Sequence, residues 1–273
     1  MAPERDSHRA AAWLLRHEGW LVSLLGALVF AAIPLSLGYL GLSWDAVNHH
    51  IYLGWTAERP RFDRDLVAAA YQSYQFPYLY WPFYKLAMSG VSGATAGVVL
   101  ALLHALAIPA AWLIARAMIP GPDLFAAGMR LAAVALAFMS GLLLSLFDST
   151  SNDLMAAIPL VWSYALGLRP LDGSGARPLR SAGWSGFLAG VSVACKLSNG
   201  LLVFALPILW LSPAGRVGER AWRCIVAGVL LLAGFAVAYG YWGWQLWTHF
   251  GNPIYPFDDD LFVPVRAWLG WQP

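Results

Sequence analysis

The chain has 273 residues, 59% of them hydrophobic and 12% charged, with a mean hydropathy of +0.58. A soluble domain of that composition would have too little polar surface to cover its core. The formal net charge of +2 offers no electrostatic footprint for nucleic acid, so no such partner is expected.

Apolar runs of about 18 residues or more, enough to cross a ~30 Å hydrocarbon core as helix, recur along the sequence. In chain order they predict spans at Gly19–Leu42, Ala94–Ala117, Arg130–Phe147, Leu154–Leu168 and Cys224–Leu246. The fold class is therefore all-α, a polytopic transmembrane bundle of about five full spans. Residues 1–18 read as a cytoplasmic N-terminal segment and 19–273 as one transmembrane domain. Arg5, Arg9 and Arg16 precede the first span, whose length exceeds the ~7–15 residues of a secretory signal core, so it reads as an uncleaved anchor.

The connection 43–93 is the one long loop, rich in Trp and Tyr as the headgroup zone favours, and short interfacial helices are expected in it. If Trp44–Ala57 is helical, Asp45, Asn48, His49 and Tyr52 share one face at i, i+3, i+4, i+7 spacing. Between 183 and 211 the apolar run is interrupted by Cys195-Lys196-Leu197-Ser198-Asn199-Gly200. A hairpin of two short helices, each arm about 12 residues or roughly 18 Å, keeps Lys196 at a wet tip. Helices that short are tolerated where they border a polar cavity. The tail 247–273 leaves the last span through Asn252-Pro253-Ile254-Tyr255-Pro256-Phe257, where two prolines forbid helix and predict a rigid turn. Trp242, Trp244 and Trp247 read as an interfacial belt, and Asp258 to Asp260 as solvated.

Basic residues in short loops set the orientation. An N-terminus inside gathers Arg116, Arg130, Arg169, Arg177, Arg180, Arg216, Arg220 and Arg223 with the first three arginines on the cytoplasmic side. Arg59, Arg61, Arg64, Lys85, Lys196 and Arg266 fall outside with Asp45, Asp148 and Asp153. The expected setting is a bacterial inner membrane, with the C-terminus external. Cys195 and Cys224 would then lie on opposite sides, unable to pair.

Four features in this order resemble the GT-C-type membrane glycosyltransferases: Asp45 soon after the first span; Asp148-Ser149-Thr150-Ser151-Asn152-Asp153 in the second external loop; Gly186 to Lys196 in the short-helix region; and Phe250-Gly251-Asn252-Pro253-Ile254-Tyr255-Pro256 after the last span. The resemblance implies transfer of a sugar from a polyprenyl-phosphate donor to a glycan, lipid or protein acceptor of the cell envelope. It assigns catalysis to Asp45 and Asp153, with Asp45 as general base. The leaving phosphate needs a cation, for which Lys196 is the first candidate and Arg59, Arg61 and Arg64 are alternatives. His49, Tyr52, Asp148 and Asn152 are expected to line the substrate site together with the loop tryptophans. Members of that class usually continue through further helices, so a truncated or minimal chain, or one completed by a membrane-protein partner, is a parallel expectation.

Each residue also has a plain reading. Asp45 and Asp153 suit helix N-termini, and Lys196 could only snorkel. A divalent cation at the external acidic site stays open, but no metal ligands are assigned, since adjacent histidines on an α-helix do not face one point. Two other function classes fit the composition: a flippase or transporter of lipid-linked sugars, and a non-catalytic subunit of a glycan-assembly complex.

Overall fold

The computed structural model describes residues 2–41, 43–146 and 149–271, and these are overwhelmingly helical. Four helical stretches are long and apolar enough to cross a membrane, as expected of an integral membrane protein: Arg9–Leu37, Gly93–Met118, Asn152–Leu171 and Val217–Phe250.

The first belongs to α1 (Ala2–Leu37), a single helix that runs without a break past residue 18. It ends where Gly38 takes a left-handed φ of 79°. The second stretch is α4 (Gly93–His104) and α5 (Ile108–Met118), joined by a 3₁₀ turn and packed antiparallel to α1, with Gly97 against Pro34 and Gly26 against Ile108. Before α4, the long connection holds the expected short helices: α2 (Ile51–Thr56), entered through a π turn at Ala46–His50, and α3 (Trp81–Met88).

The predicted span Arg130–Phe147 is not one helix. α6 (Leu124–Phe138) starts earlier, capped by the Asp123 carboxylate on the Ala126 N–H, and α7 (Gly141–Leu146) starts afresh with the Ser140 hydroxyl accepting from the Leu143 N–H. Arg130 sits inside α6, buried, donating to Glu18 at 2.7 Å and to the carbonyls of Ile119 and Gly121. The guanidinium ties α1 and the turn before α6 together at the arginine-rich end, although its Nε has no partner among the described residues.

α8 (Asn152–Leu168) and α9 (Pro178–Cys195) are antiparallel, tied by Ser163 Oγ to the Ser185 carbonyl at 2.7 Å and by Ser192 Oγ to the Ala156 carbonyl at 2.9 Å. At Lys196 the backbone becomes extended and the chain turns back through α10 (Gly200–Val203) and α11 (Leu206–Leu211). The reversal lies where it was expected, but the first arm is 18 residues rather than a half-length helix. α12 (Val217–Phe250) then runs parallel to α9, with Gly186 facing Ala227 and Gly190 facing Leu231 one turn on. After the left-handed Gly251 a compact turn leads to α13 (Asp259–Leu269).

These directions give the bundle two chemically different ends. One carries Arg9, Arg16, Arg116, Arg169, Arg180, Arg216, Arg220 and Arg223. The other gathers the 43–93 connection, the start of α8, the end of α9 and the end of α12.

Candidate functional site

A polar cavity of about 790 Å³ opens at that second end. Its walls come from four separate stretches of chain: Asp45, His49 and His50 before α2; Tyr71 to Tyr80; Ser149 to Asp153 at the start of α8; and Ala194 to Ser198 at the hairpin tip. Tyr239 of α12 and Ile254, Tyr255, Phe257 and Asp258 of the tail close it.

The π turn decides which side chains before α2 enter the cavity. Its Ile51 N–H bonds back to the Ala46 carbonyl, five residues earlier, which breaks the α-helical stagger. Both histidines consequently turn inward and are buried, at 3% and 5% exposure, whereas Asn48 turns out and donates to the Trp44 carbonyl. The two rings still serve different partners, His49 toward Asp45 and His50 toward Thr150, and the π turn breaks up the face predicted for Asp45, Asn48, His49 and Tyr52. Tyr52 leaves the cavity for Asp65, 3.5 Å away, and burial with that carboxylate pushes its phenol up to about 12.

His50 fixes this segment to the rest of the site. Its Nδ1 lies 2.5 Å from Thr150 Oγ1 and its ring stacks on Tyr80 at 4.6 Å. Burial, with His49 adjacent, lowers its pKa to about 4, so the ring is neutral at physiological pH. His49 Nδ1 lies 3.8 Å from Asp45 Oδ1. Burial lowers the His49 pKa while Asp45 opposes that shift. Tyr80 is raised by burial first, then by the fields of Asp153 and Asp45, which act on the same phenol.

Across the cavity, Ser151 caps α8 by accepting from the Asp153 N–H, and Asp153 forms an ion pair with Lys196. Asp153 thus stands in the first turn of α8 with Ser151 as the cap, and its carboxylate reaches the cavity. Lys196 gets there because the chain is extended at the end of α9, which carries its side chain toward the head of α8.

The structure therefore brings Asp45, His49, Asn152, Asp153 and Lys196 to one cavity. Arg59, Arg61 and Arg64 do not line it: Arg61 pairs with Asp65 at 2.7 Å and Arg64 with Asp63 at 3.3 Å. Asp148 lies outside the described residues. In place of the loop tryptophans, the aromatic walls are Tyr71, Tyr74, Phe76, Tyr80, Tyr239 and Tyr255. Trp242 is fully buried, donating to the Tyr74 carbonyl at 3.0 Å, so it braces the wall and is no part of an interfacial belt.

The tail makes the turn predicted after the last span, where the buried Asn252 side chain accepts from Ile254 N–H at 2.9 Å and donates to the Phe257 carbonyl at 2.8 Å. Arg266 grips Asp259 through two hydrogen bonds that hold its carboxyl below the usual range. Among the described residues no group of three His, Cys, Asp or Glu side chains could hold a metal ion. Cys195 and Cys224 are free thiols.

A second cavity of about 450 Å³ is apolar and lies between α5, α6, α7 and α8. Leu154, Ala157 and Val161 of α8 line it, so Asp153 and Leu154, consecutive residues, belong to the polar and apolar cavities respectively. In comparisons with protein-family models, curated proteins and solved structures, nothing matches this chain.

Proposed function

We propose that this protein is a membrane glycosyltransferase that moves a sugar from a polyprenyl-phosphate donor to an envelope acceptor in the polar cavity. The observation that carries this reading is the convergence of Asp45, Asp153 and Lys196, from three distant segments, on one cavity whose edge adjoins an apolar one. The polar volume of 790 Å³ lies within the roughly 300–1,000 Å³ of small-molecule sites. Tyrosine faces suit a sugar ring, and a recess between membrane helices whose lining is apolar apart from His104 suits a lipid chain.

In the reaction, an acceptor hydroxyl oxygen bonds to the anomeric carbon while the bond from that carbon to the phosphate oxygen breaks. The hydroxyl proton must be removed at the Asp45 side. The electron pair leaves on the phosphate, where Lys196 balances the new charge after exchanging Asp153 for the phosphate oxygens. Arginine placement favours an N-terminus inside and the cavity outside.

Purified protein in liposomes containing a labelled polyprenyl-phosphate sugar tests the reading. Release or transfer of label supports it. Movement of intact labelled lipid between leaflets without cleavage indicates a transporter, and neither outcome indicates a non-catalytic subunit.

A further inference from the structure

His49 presents an anomaly inside this cavity. Its ring is buried, yet Nδ1 has no hydrogen-bond partner among the described residues. The nearest acceptor to Nδ1 is Asp45 Oδ1 at 3.8 Å, one short side-chain adjustment from a hydrogen bond. Catalytic hydrogen bonds are commonly this long before substrate binds. Asp45 is a half-exposed side chain free to make that adjustment, whereas the histidine is held by the π turn and by its edge-on contact with His50 at 4.4 Å.

We propose that Asp45 and His49 form a carboxylate–imidazole pair in which His49 Nε2 takes the proton of the acceptor hydroxyl and Asp45 holds the ring from the Nδ1 side. The inference rests on the transferase reading and reassigns the proton step within it: His49 touches the reacting group and Asp45 is the positioning residue. The neutral ring carries its proton on Nδ1, directed at Asp45, and leaves the Nε2 lone pair for the hydroxyl. As the acceptor oxygen bonds to the anomeric carbon, its proton passes to Nε2 and the phosphate departs with the electron pair. The imidazolium is stabilised by Asp45 and returns its proton to water after product leaves. Imidazole suits this work because free histidine titrates near ~6.5 and free aspartate near ~3.9, and a base works best close to the operating pH.

The titratable and charged groups that share its cavity are on several elements, and of these Asp45 acts on the ring. Asp45 and His50 belong to its own segment, Tyr80 to the turn before α3, Asp153 to α8 and Lys196 to the hairpin. Burial keeps His49 neutral and Asp45 opposes that effect. Activity should fall as pH drops through the His49 pKa, because protonation blocks Nε2.

Two measurements on the full-length protein in liposomes test the pair. In peptide-resolved carbethoxylation across pH, the His49 midpoint should move down in Asp45→Asn, since the carboxylate that favours the charged ring is gone. An unmoved midpoint overturns the pairing, with or without turnover. In the labelled-sugar assay, His49→Ala should lose ~10²–10⁴-fold in kcat, typical of a lost base, and free imidazole should restore part of it. Asp45→Asn should lose a comparable factor, and the double variant no more than either alone. Full turnover in His49→Ala, or in the more conservative His49→Gln, would overturn His49 as base while leaving the transferase reading intact. Absence of transfer by the wild type would sink that reading, and the carbethoxylation midpoint would still decide the pair.

Discussion

The seam between α9 and α12 and the polar cavity above it are assembled from opposite materials. Along the seam, Gly186, Gly190 and Gly234 bring the two backbones so close that an added Cβ would lie 2.1, 1.9 and 2.1 Å from the carbonyl oxygens of Ala227, Leu231 and Phe187. Regular helices and absent side chains do the packing there, as in small-residue contacts between membrane helices. Around the cavity the backbone is irregular: a π turn, 3₁₀ turns, an extended Lys196 and a capped turn at Asn252. The regular seam holds α9 and α12 in register, and the irregular segments use that fixed frame to aim side chains from distant parts of the chain at one point.

The largest effect should come from breaking the seam. Gly190→Ala would gain roughly 1 kcal/mol of helix propensity, but its methyl would lie on a carbonyl that cannot yield, with a cost above the ~1–3 kcal/mol of ordinary overpacking. Gly228, on the same α12 helix, has open space where its Cβ would be. Thermal unfolding in detergent should therefore show Gly190→Ala strongly destabilised and Gly228→Ala unchanged or slightly stabilised. Equal melting temperatures would show that the seam is not the frame.

Next in size is Asp45→Asn, which keeps the shape of the cavity wall and removes a charge. Turnover should fall by about 10²–10⁴-fold, or ~3–5.5 kcal/mol of transition-state stabilisation, with the melting temperature unchanged. Loss of fold instead would place Asp45 with the structural residues.

A smaller effect is expected from Ala111→Phe, which fills the apolar cavity from α5 without touching the polar one. Affinity for the lipid-linked donor should weaken by about tenfold, ~1.4 kcal/mol, while a short-chain water-soluble donor is bound as before. Equal weakening for both donors would separate the apolar cavity from lipid binding. Least of all should follow from Arg61→Ala. Its ion pair with Asp65 is half-exposed and contributes at most about 1 kcal/mol, and donor affinity should be unchanged because Arg61 stands off the cavity.

The regular half of the molecule is also the half that its sequence discloses. Long apolar runs announced the spans, the arginines sorted to one end, and the interruption at Lys196 marked the reversal after α9. The break between α6 and α7 escaped because Ser140 and Gly141 are apolar enough to sit unnoticed in a hydrophobic run, although Ser140 is a good cap. Asp45, Asp153 and Lys196 could be found as charges at span ends. His50, Tyr74, Tyr80 and Thr150 could not, since an α-helical wheel places His50 away from Asp45 and only the π turn reverses that. Arg59, Arg61 and Arg64 were indistinguishable from Lys196 as cations in sequence, and only the Asp63 and Asp65 partners three-dimensional structure gives two of them set the group apart.

The central claim is that the polar cavity receives the phosphate of a lipid-linked sugar beside Lys196. Photolabelling tests it most directly, using full-length protein in liposomes and a polyprenyl-phosphate analogue with its photoreactive group next to the phosphate. Label should appear on the peptides containing 149–153 and 194–198 and drop at least tenfold in Lys196→Met, because one charge serves both the bound and the departing phosphate. Label spread along the lipid-facing sides of α1 and α12, or undiminished in Lys196→Met, would contradict the account.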